Sequence, residues 1–199
     1  MRTSFKVHAV LAGGTSALML LVAGLTLLPG SLPLPSPRLL ALLAGATVLP
    51  LLGWAFVRGL FGGFDRTAQW PAFRCLPGPT QLALVALLGA GVVLCVLDGG
   101  ASGSRQNAEV RDGRYVVFET TPGRRGTVEV DRREYEAVRE ADQRGALTIP
   151  GTMLAGAALI ALVTGEVRRA DDEAVKACVK AVKAVSTTSA APASGGTRS

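Results

Sequence analysis

The chain has few of the side chains on which most catalytic and metal sites depend. Its 199 residues include one histidine, three cysteines, two tryptophans and two tyrosines, and only 18% of them are charged. His8 has no second ligand at metal-binding spacing, and Cys75, Cys95 and Cys178 show no Cys-x-x-Cys pattern. We therefore predict no disulfide framework, no metal site and no cofactor.

Motifs for catalysis or nucleotide binding are also missing from the sequence. Gly62-Gly63 and Gly99-Gly100 lack the strand-to-helix context of a phosphate loop, and there is no nucleophile elbow or paired His-Glu motif. We predict that the chain is not an enzyme and name no catalytic or cofactor-binding residue. The net charge of +6 lies at membrane-flanking positions without aromatic clusters, so nucleic acid is not an expected partner.

Long uncharged apolar segments dominate what is present. Hydrophobic residues make up 49% of the chain and the mean hydropathy is +0.36. A helix needs about 20 apolar residues to cross the bilayer core, and a chain this short could not bury several such helices in a soluble core. The sequence predicts an all-α membrane protein, a four-transmembrane-helix bundle, with spans at Val7–Leu28, Leu39–Val57, Thr80–Leu97 and Leu147–Val163.

Three features refine this prediction. The N-terminus could be a signal peptide, but its apolar run is long and ends in Leu-Pro-Gly without an Ala-x-Ala site, which favours a retained first helix. Pro50 should kink the second helix unless neighbours satisfy the freed carbonyl. Small residues recur every fourth position, which favours close packing within one chain over a dimerisation face: Ala9, Gly13, Ala17; Ala41, Gly45; Ala86, Ala90; Gly151, Ala155.

Residues 98–146, between the third and fourth spans, are predicted to form a small extracytoplasmic unit. Glycines and serines after Asp98 indicate a flexible linker. A β-hairpin should follow, with strands at 114–121 and 127–130 joined by a type II turn at Thr121-Pro-Gly-Arg. Asp131 and Glu134 form a capping box at the start of a helix, along which Arg132–Glu136 and Glu140–Arg144 are spaced to pair. This unit is too small to be stable alone and should lean on the bilayer or a partner.

The distribution of Lys and Arg gives a mixed signal about orientation. Positive residues in short segments are held in the cytoplasm, and the Lys and Arg residues named at the end of this paragraph all fall on one side of the predicted spans. The opposite side carries Arg38 and nine arginines of residues 98–146, but ten acidic residues balance that segment. We therefore expect a multi-pass cell-membrane protein with both termini cytoplasmic and these residues inside: Arg2, Lys6, Arg58, Arg66, Arg74, Arg168, Arg169, Lys176, Lys180 and Lys183.

The C-terminal region after the fourth span (147–165) is predicted to contain a short amphipathic basic helix at residues 166–185. Valines recur on one face of this helix and lysines on the other, so it could lie in the plane of the inner leaflet and contact anionic lipid. The alternatives are a solvated helix and a coiled-coil contact. Residues 186–199 are predicted to be a disordered polar tail. The candidate lipid-surface contacts are Arg168, Arg169, Lys176, Lys180 and Lys183.

A resemblance can be drawn from residues 110–165. A strand, a glycine turn, Val128-x-Val130, an acidic cap and Glu134-Tyr135 on a charged helix precede a final span. This order is similar to that of small multi-pass integral membrane proteins common in bacteria, and the Ala-, Gly-, Leu- and Arg-rich composition looks actinobacterial. The resemblance implies the topology and brings with it no established activity or functional residues.

Two classes of function follow from these expectations. The first is a non-enzymatic envelope or accessory protein, embedded in the lipid bilayer, whose residues 110–146 contact a partner protein. The alternative is an oligomeric small-solute transporter or pore, suggested by four Gly-rich helices. Ion-coupled transport is disfavoured because the four spans contain no Asp, Glu, Lys or Arg, and their interior polar groups are Ser, Thr and one Gln near an end.

Overall fold

The computed structural model describes residues 3–28, 34–61 and 66–189, with side chains for all of these except 3, 61, 66–68, 100–102 and 181–189. This part of the chain is mostly helical and carries a small antiparallel sheet. Its elements, in chain order, are α1 Thr3–Leu25, α2 Pro37–Phe61, α3 Arg66–Arg74, α4 Gly78–Ser102, β1 Arg105–Arg111, β2 Arg114–Glu119, β3 Gly126–Glu129 and α5 Arg132–Ser189.

Four helices of the described chain, α1, α2, α4 and α5, are long and apolar enough to cross a membrane. The prediction of four candidate spans is therefore confirmed by length and composition. Large apolar side chains project outward along these helices, which suits contact with lipid tails rather than water. Among them are Val10, Leu42, Leu49, Leu82, Val85 and Val96.

Helix α5 is the centre of the packing. α1, α2, α3 and α4 all contact α5, whereas α1 and α2 scarcely touch each other. In the most apolar 18-residue stretch of α5, half of the residues are buried, whereas in that of α4 only 17% are buried. Helix α4 therefore lies at the periphery.

Small residues allow the close approach of helices to α5. A Cβ at Gly13 would lie 3.7 Å from Ala158 Cβ, and one at Gly151 would lie 3.1 Å from Leu20 Cδ2. The prediction of close packing within the chain holds for Ala9, Gly151 and Ala155, which are buried. It does not hold for four others, which are exposed: Ala17, Ala41, Ala86 and Ala90.

Helix α5 joins three segments that the sequence separates. Its 58 residues run through the helix predicted before the fourth span, the span itself and the basic helix after it, a length of roughly 87 Å at about 1.5 Å per residue. Because no break separates the span from residues 166–185, placing the basic segment flat on the membrane would require a bend. Residues 186–189, predicted to be disordered, continue the helix, and residues 190–199 lie outside the described chain.

Two of the long helices contain an internal proline. α2 is helical through Pro50 and α5 through Pro150. Next to Pro150, the buried Ser16 hydroxyl donates a hydrogen bond of 2.7 Å to Gly151 O. This bond ties α1 to α5 where the proline removes a backbone donor.

The sheet has the order β1-β2-β3 with antiparallel pairing throughout. The predicted hairpin is present as β2 and β3, with Val117 opposite Val128 and Phe118 opposite Thr127. Strand β1 was not predicted, and the predicted linker after Asp98 is instead the last turn of α4. The sheet and the first turns of α5, residues 105–146, are called the polar module below.

Candidate functional site

Apolar packing fixes the sheet of the polar module to α5. β1 and β2 both contact α5, and the rings of Tyr115 and Tyr135 lie 4.8 Å apart between their centroids. Val117 on β2 and Val138 on α5 are both buried. The module therefore has a small core that uses α5 as one wall.

Local hydrogen bonds confirm the predicted turn and cap. Arg124 N donates to Thr121 O at 3.0 Å, and Gly123 has a φ of 82°, as the third position of a type II turn requires. Glu134 N donates to Asp131 Oδ1 at 2.7 Å, which caps the start of α5. The turn thus joins β2 to β3, and the cap lies between β3 and α5.

Strand β1 contains a bulge that a side chain of α5 stabilises. The register with β2 shifts between Gln106 and Glu109, and Asn107 adopts a φ of 56°. Asp142 Oδ2 accepts a hydrogen bond of 3.0 Å from Ala108 N, so the carboxylate satisfies a backbone donor that the ladder leaves open. Because Asp142 belongs to α5, the bulge fastens β1 to the helix.

A charge network joins the strands to each other and to α5. Glu119 accepts hydrogen bonds from the hydroxyls of Ser104 and Thr121, and Arg105 Nε lies 3.1 Å from Glu119 Oε2. Together these three groups lower the pKa of Glu119 to about 2. Arg105 also pairs with Glu134 on α5. The Glu119 carboxylate therefore stays ionised at neutral pH and holds two elements together.

A second ion pair links the end of α4 to α5. Arg144 Nε lies 3.0 Å from Asp98 Oδ1, and both side chains are only about one-tenth exposed. The prediction that Arg144 pairs with Glu140 is wrong, because α4 brings a carboxylate to the other side of α5. The Arg132–Glu136 pair is confirmed, with Nε and Oε1 2.8 Å apart.

A polar cleft of about 580 Å³ lies between the module and the start of α2. Arg38 of α2 pairs with Glu109 of β1 at 3.3 Å, and Gln143 Nε2 donates to Pro35 O at 2.9 Å. These contacts place the start of α2 beside the module, and Leu20, Ala23 and Leu94 near the ends of α1 and α4 cluster with Leu147 just after it. We call this end of the helices the module end.

The sheet face turned away from α5 carries Phe118, and the half-buried Val116 lies two residues earlier on the same face. Phe118 is 37% exposed, and residue alternation along β2 places it opposite in direction to the buried Val117. Its cross-strand neighbours are Gln106 and Thr127. Beside it, β3 forms an edge of the sheet, so its outer backbone groups face away from the ladder.

The opposite end of the helices gathers positive side chains, and we call it the basic end. Arg58 lies 4.6 Å from the ring centroid of Phe5 and 5.1 Å from that of Trp54. Arg168 lies 5.6 Å from the Phe5 ring. Sequence reasoning placed Arg58 and Arg168 on one side but did not foresee that α1 supplies an aromatic ring between them.

The predicted lipid-contact residues divide into two groups. Arg168 and Arg169 belong to the basic end, where Arg169 Nε lies 3.0 Å from Glu166 Oε2. Lys176 and Lys180 are exposed further along α5, the latter roughly 16 Å beyond Arg169 at about 1.5 Å per residue. Lys183 is part of the helix, but its side chain lies outside those described.

Both tryptophans lie at the basic end. Trp54 near the end of α2 is 53% exposed, and Trp70 of α3 is 66% exposed and stacks on Phe73 with the ring centroids 5.8 Å apart. Exposed Trp and Tyr rings are typical of the boundary between lipid and water. Helix α3, which carries Trp70, directly precedes α4 in the chain.

The remaining residues that sequence analysis singled out are dispersed. His8 is buried in α1. Cys75, Cys95 and Cys178 are free thiols on three different parts of the chain. Among the described residues, no group of three or more His, Cys, Asp or Glu side chains is placed to hold a metal ion.

Comparison with known proteins found no matching family model, no matching curated protein and no matching solved structure.

Proposed function

We propose that the chain is a multi-pass cell-membrane protein in which a four-helix bundle around α5 carries the polar module on the extracytoplasmic side, with both termini in the cytoplasm. Its proposed role is that of a non-enzymatic envelope or accessory protein whose module docks a partner protein. The observation that carries the proposal is the polar module, fixed to a spanning helix and presenting Phe118 beside an open strand edge.

The charges at the two ends support this orientation. Positive residues are retained in the cytoplasm when they flank spans, and Lys6, Arg58, Arg168 and Arg169 all lie at the basic end. At the module end, the arginines are matched by acidic groups, as in the pairs formed by Arg105, Arg114 and Arg144. The module therefore adds little net positive charge to its side of the membrane.

The construction of the module supports a docking role. Its contacts with α5 through Glu134, Tyr135 and Asp142 hold the sheet in one position relative to the spans. A held surface loses little conformational entropy on binding, and an exposed aromatic side chain is a frequent anchor of protein interfaces. An extended segment of the partner could also pair with β3.

Site-specific photocrosslinking in cells tests this proposal. A photoreactive amino acid in place of Phe118 or Thr127 should give one adduct of defined mass with the same partner, and the same amino acid at Arg133, exposed on α5, is the matched control. Replacing Phe118 with Asp should reduce partner recovery by at least about tenfold, because an interface anchor is lost. Equal adducts at Arg133 and Phe118, or adducts with lipid alone, would refute docking through this face.

A further inference from the structure

A groove of about 760 Å³ opens between α1, α4 and α5 and ends at the basic end. Its walls are apolar and come from all three helices, including Ala9 and Gly13 of α1, Leu84 and Leu87 of α4, and Leu162 of α5. Its volume is within the range of cavities that hold small ligands. Any occupant of this groove meets hydrocarbon surface along most of its length.

Two of the α1 residues that line the groove, Gly13 and Gly14, have no side chain. Gly14 lines the groove, and a Cβ added there would meet no atom within 4 Å. A larger residue could occupy this space without displacing the helices. The two consecutive glycines, Gly13 and Gly14, therefore leave this space open between α1 and α4.

Charged groups lie only at the end of the groove. Lys6 of α1 and Arg169 of α5 line it there together with Glu166, which pairs with Arg169. These three charges sum to +1, and Arg58 and Arg168 lie around the nearby Phe5. The groove thus joins an apolar channel to a positive mouth.

We propose that this groove binds one anionic phospholipid, with an acyl chain between α1 and α4 and the phosphate at Lys6 and Arg169. The site is separate from the docking face of the module and rests only on the proposed placement of the helices in a membrane. A free phosphate would use the mouth and leave the apolar walls uncovered, whereas a phospholipid matches both parts. The chemistry at the two ends of the groove therefore selects an amphiphile.

Native mass spectrometry of the delipidated full-length chain in detergent tests the site. The chain is titrated with phosphatidylglycerol, with phosphatidylcholine of the same acyl chains, and with phosphatidylglycerol in the presence of excess inorganic phosphate. Gly14→Leu fills the groove, and Gly24→Leu is the matched control, because Gly24 also has open space but does not line the groove. Lys6→Ala and Arg169→Ala test the mouth, with Lys180→Ala as the control.

We expect one phosphatidylglycerol per chain, bound more tightly than phosphatidylcholine. Gly14→Leu should abolish this binding while Gly24→Leu keeps it, and each mouth variant should weaken it about fivefold while Lys180→Ala does not. Equal binding by the two leucine variants, equal affinity for both lipids, or full displacement by inorganic phosphate would each overturn the proposal. Membrane fractionation tests the placement itself, so failure of the groove and failure of the placement are distinguishable.

Discussion

Asp98 and Arg144 form the ion pair of the described chain in which both side chains have low exposure. Their side chains are 12% and 10% exposed, so most of their hydration is lost, and the attraction across 3.0 Å must offset that loss. A buried pair of this kind contributes little net stability compared with apolar groups of equal size. Removing one member is costly, because the other is left in apolar surroundings.

We expect Arg144→Met to lower the free energy of unfolding by roughly 3 kcal/mol, and Asp98→Asn combined with Arg144→Met to recover most of that loss. Arg132→Met removes an exposed pair and should cost less than about 1 kcal/mol, which makes it the control. Denaturant or thermal unfolding in detergent measures all three. A double variant no more stable than Arg144→Met would show that the two charges are not coupled.

Sequence reasoning could predict the charges but not this pairing. Spacing along one helix suggested Glu140 as the partner of Arg144, because residues four apart are neighbours on a helix surface. The partner in the structure is Asp98, which lies 46 positions before Arg144 in the chain. Only the packing of α4 against α5 brings the two together, and no local pattern records that contact.

Among the elements, α4 and α5 interlock through one glycine. A Cβ at Gly91 would overlap Thr152 Oγ1 and lie 3.0 Å from Thr152 Cβ. The Thr152 hydroxyl is itself engaged, since it donates to Thr148 O at 2.8 Å. Only 17% of the most apolar stretch of α4 is buried, so this close approach to α5 acts together with the Asp98–Arg144 pair in positioning α4.

Gly91→Ala should therefore destabilise the protein by about 1–3 kcal/mol through overpacking. Gly89→Ala is the matched control: it lies on the same helix, has open space around its Cβ and should be neutral or stabilising by up to about 1 kcal/mol. Thermal unfolding of both variants under identical detergent conditions gives the comparison. Equal stability of the two variants would mean that Gly91 does not face Thr152.

The elements differ in how well the sequence predicts them. Apolar length predicted the four long helices, and the turn and cap residues predicted β2, β3 and the start of α5. β1 was missed because Arg105–Arg111 is mostly polar, and its pairing depends on β2 and on Asp142 of α5. The glycines after Asp98 suggested a linker, yet α4 continues to Ser102, with Asp98 of its last turns anchored on α5.

At the scale of the whole molecule, α5 joins the polar module to the basic end as one continuous helix. Its first turns form a wall of the module, its middle is buried by α1, α2 and α4, and its later turns carry Arg168 and Arg169. A shift or rotation of α5 would move the module and the mouth of the groove together. The sequence predicted that the helix after Asp131 runs toward the fourth span, but residues around Gly165 gave no reason to join that span to the basic helix after it.

The two ends of α5 should therefore lie on opposite sides of the membrane. In a background without Cys75, Cys95 and Cys178, we expect Thr127→Cys to react with an impermeant thiol reagent in intact cells. Lys180→Cys should react only after permeabilisation, because the apolar middle of α5 separates the two positions. Both positions are exposed, so access to the side chain does not limit either reaction.

Each alternative labelling pattern has one structural meaning. If Lys180→Cys alone reacts in intact cells, the orientation is reversed, and the module must find its partner in the cytoplasm. If both positions react, α5 does not cross the bilayer, and the lipid groove loses its setting as well. Labelling of Thr127→Cys alone would place Phe118 and β3 outside the cell membrane, where the photocrosslinking experiment seeks a partner.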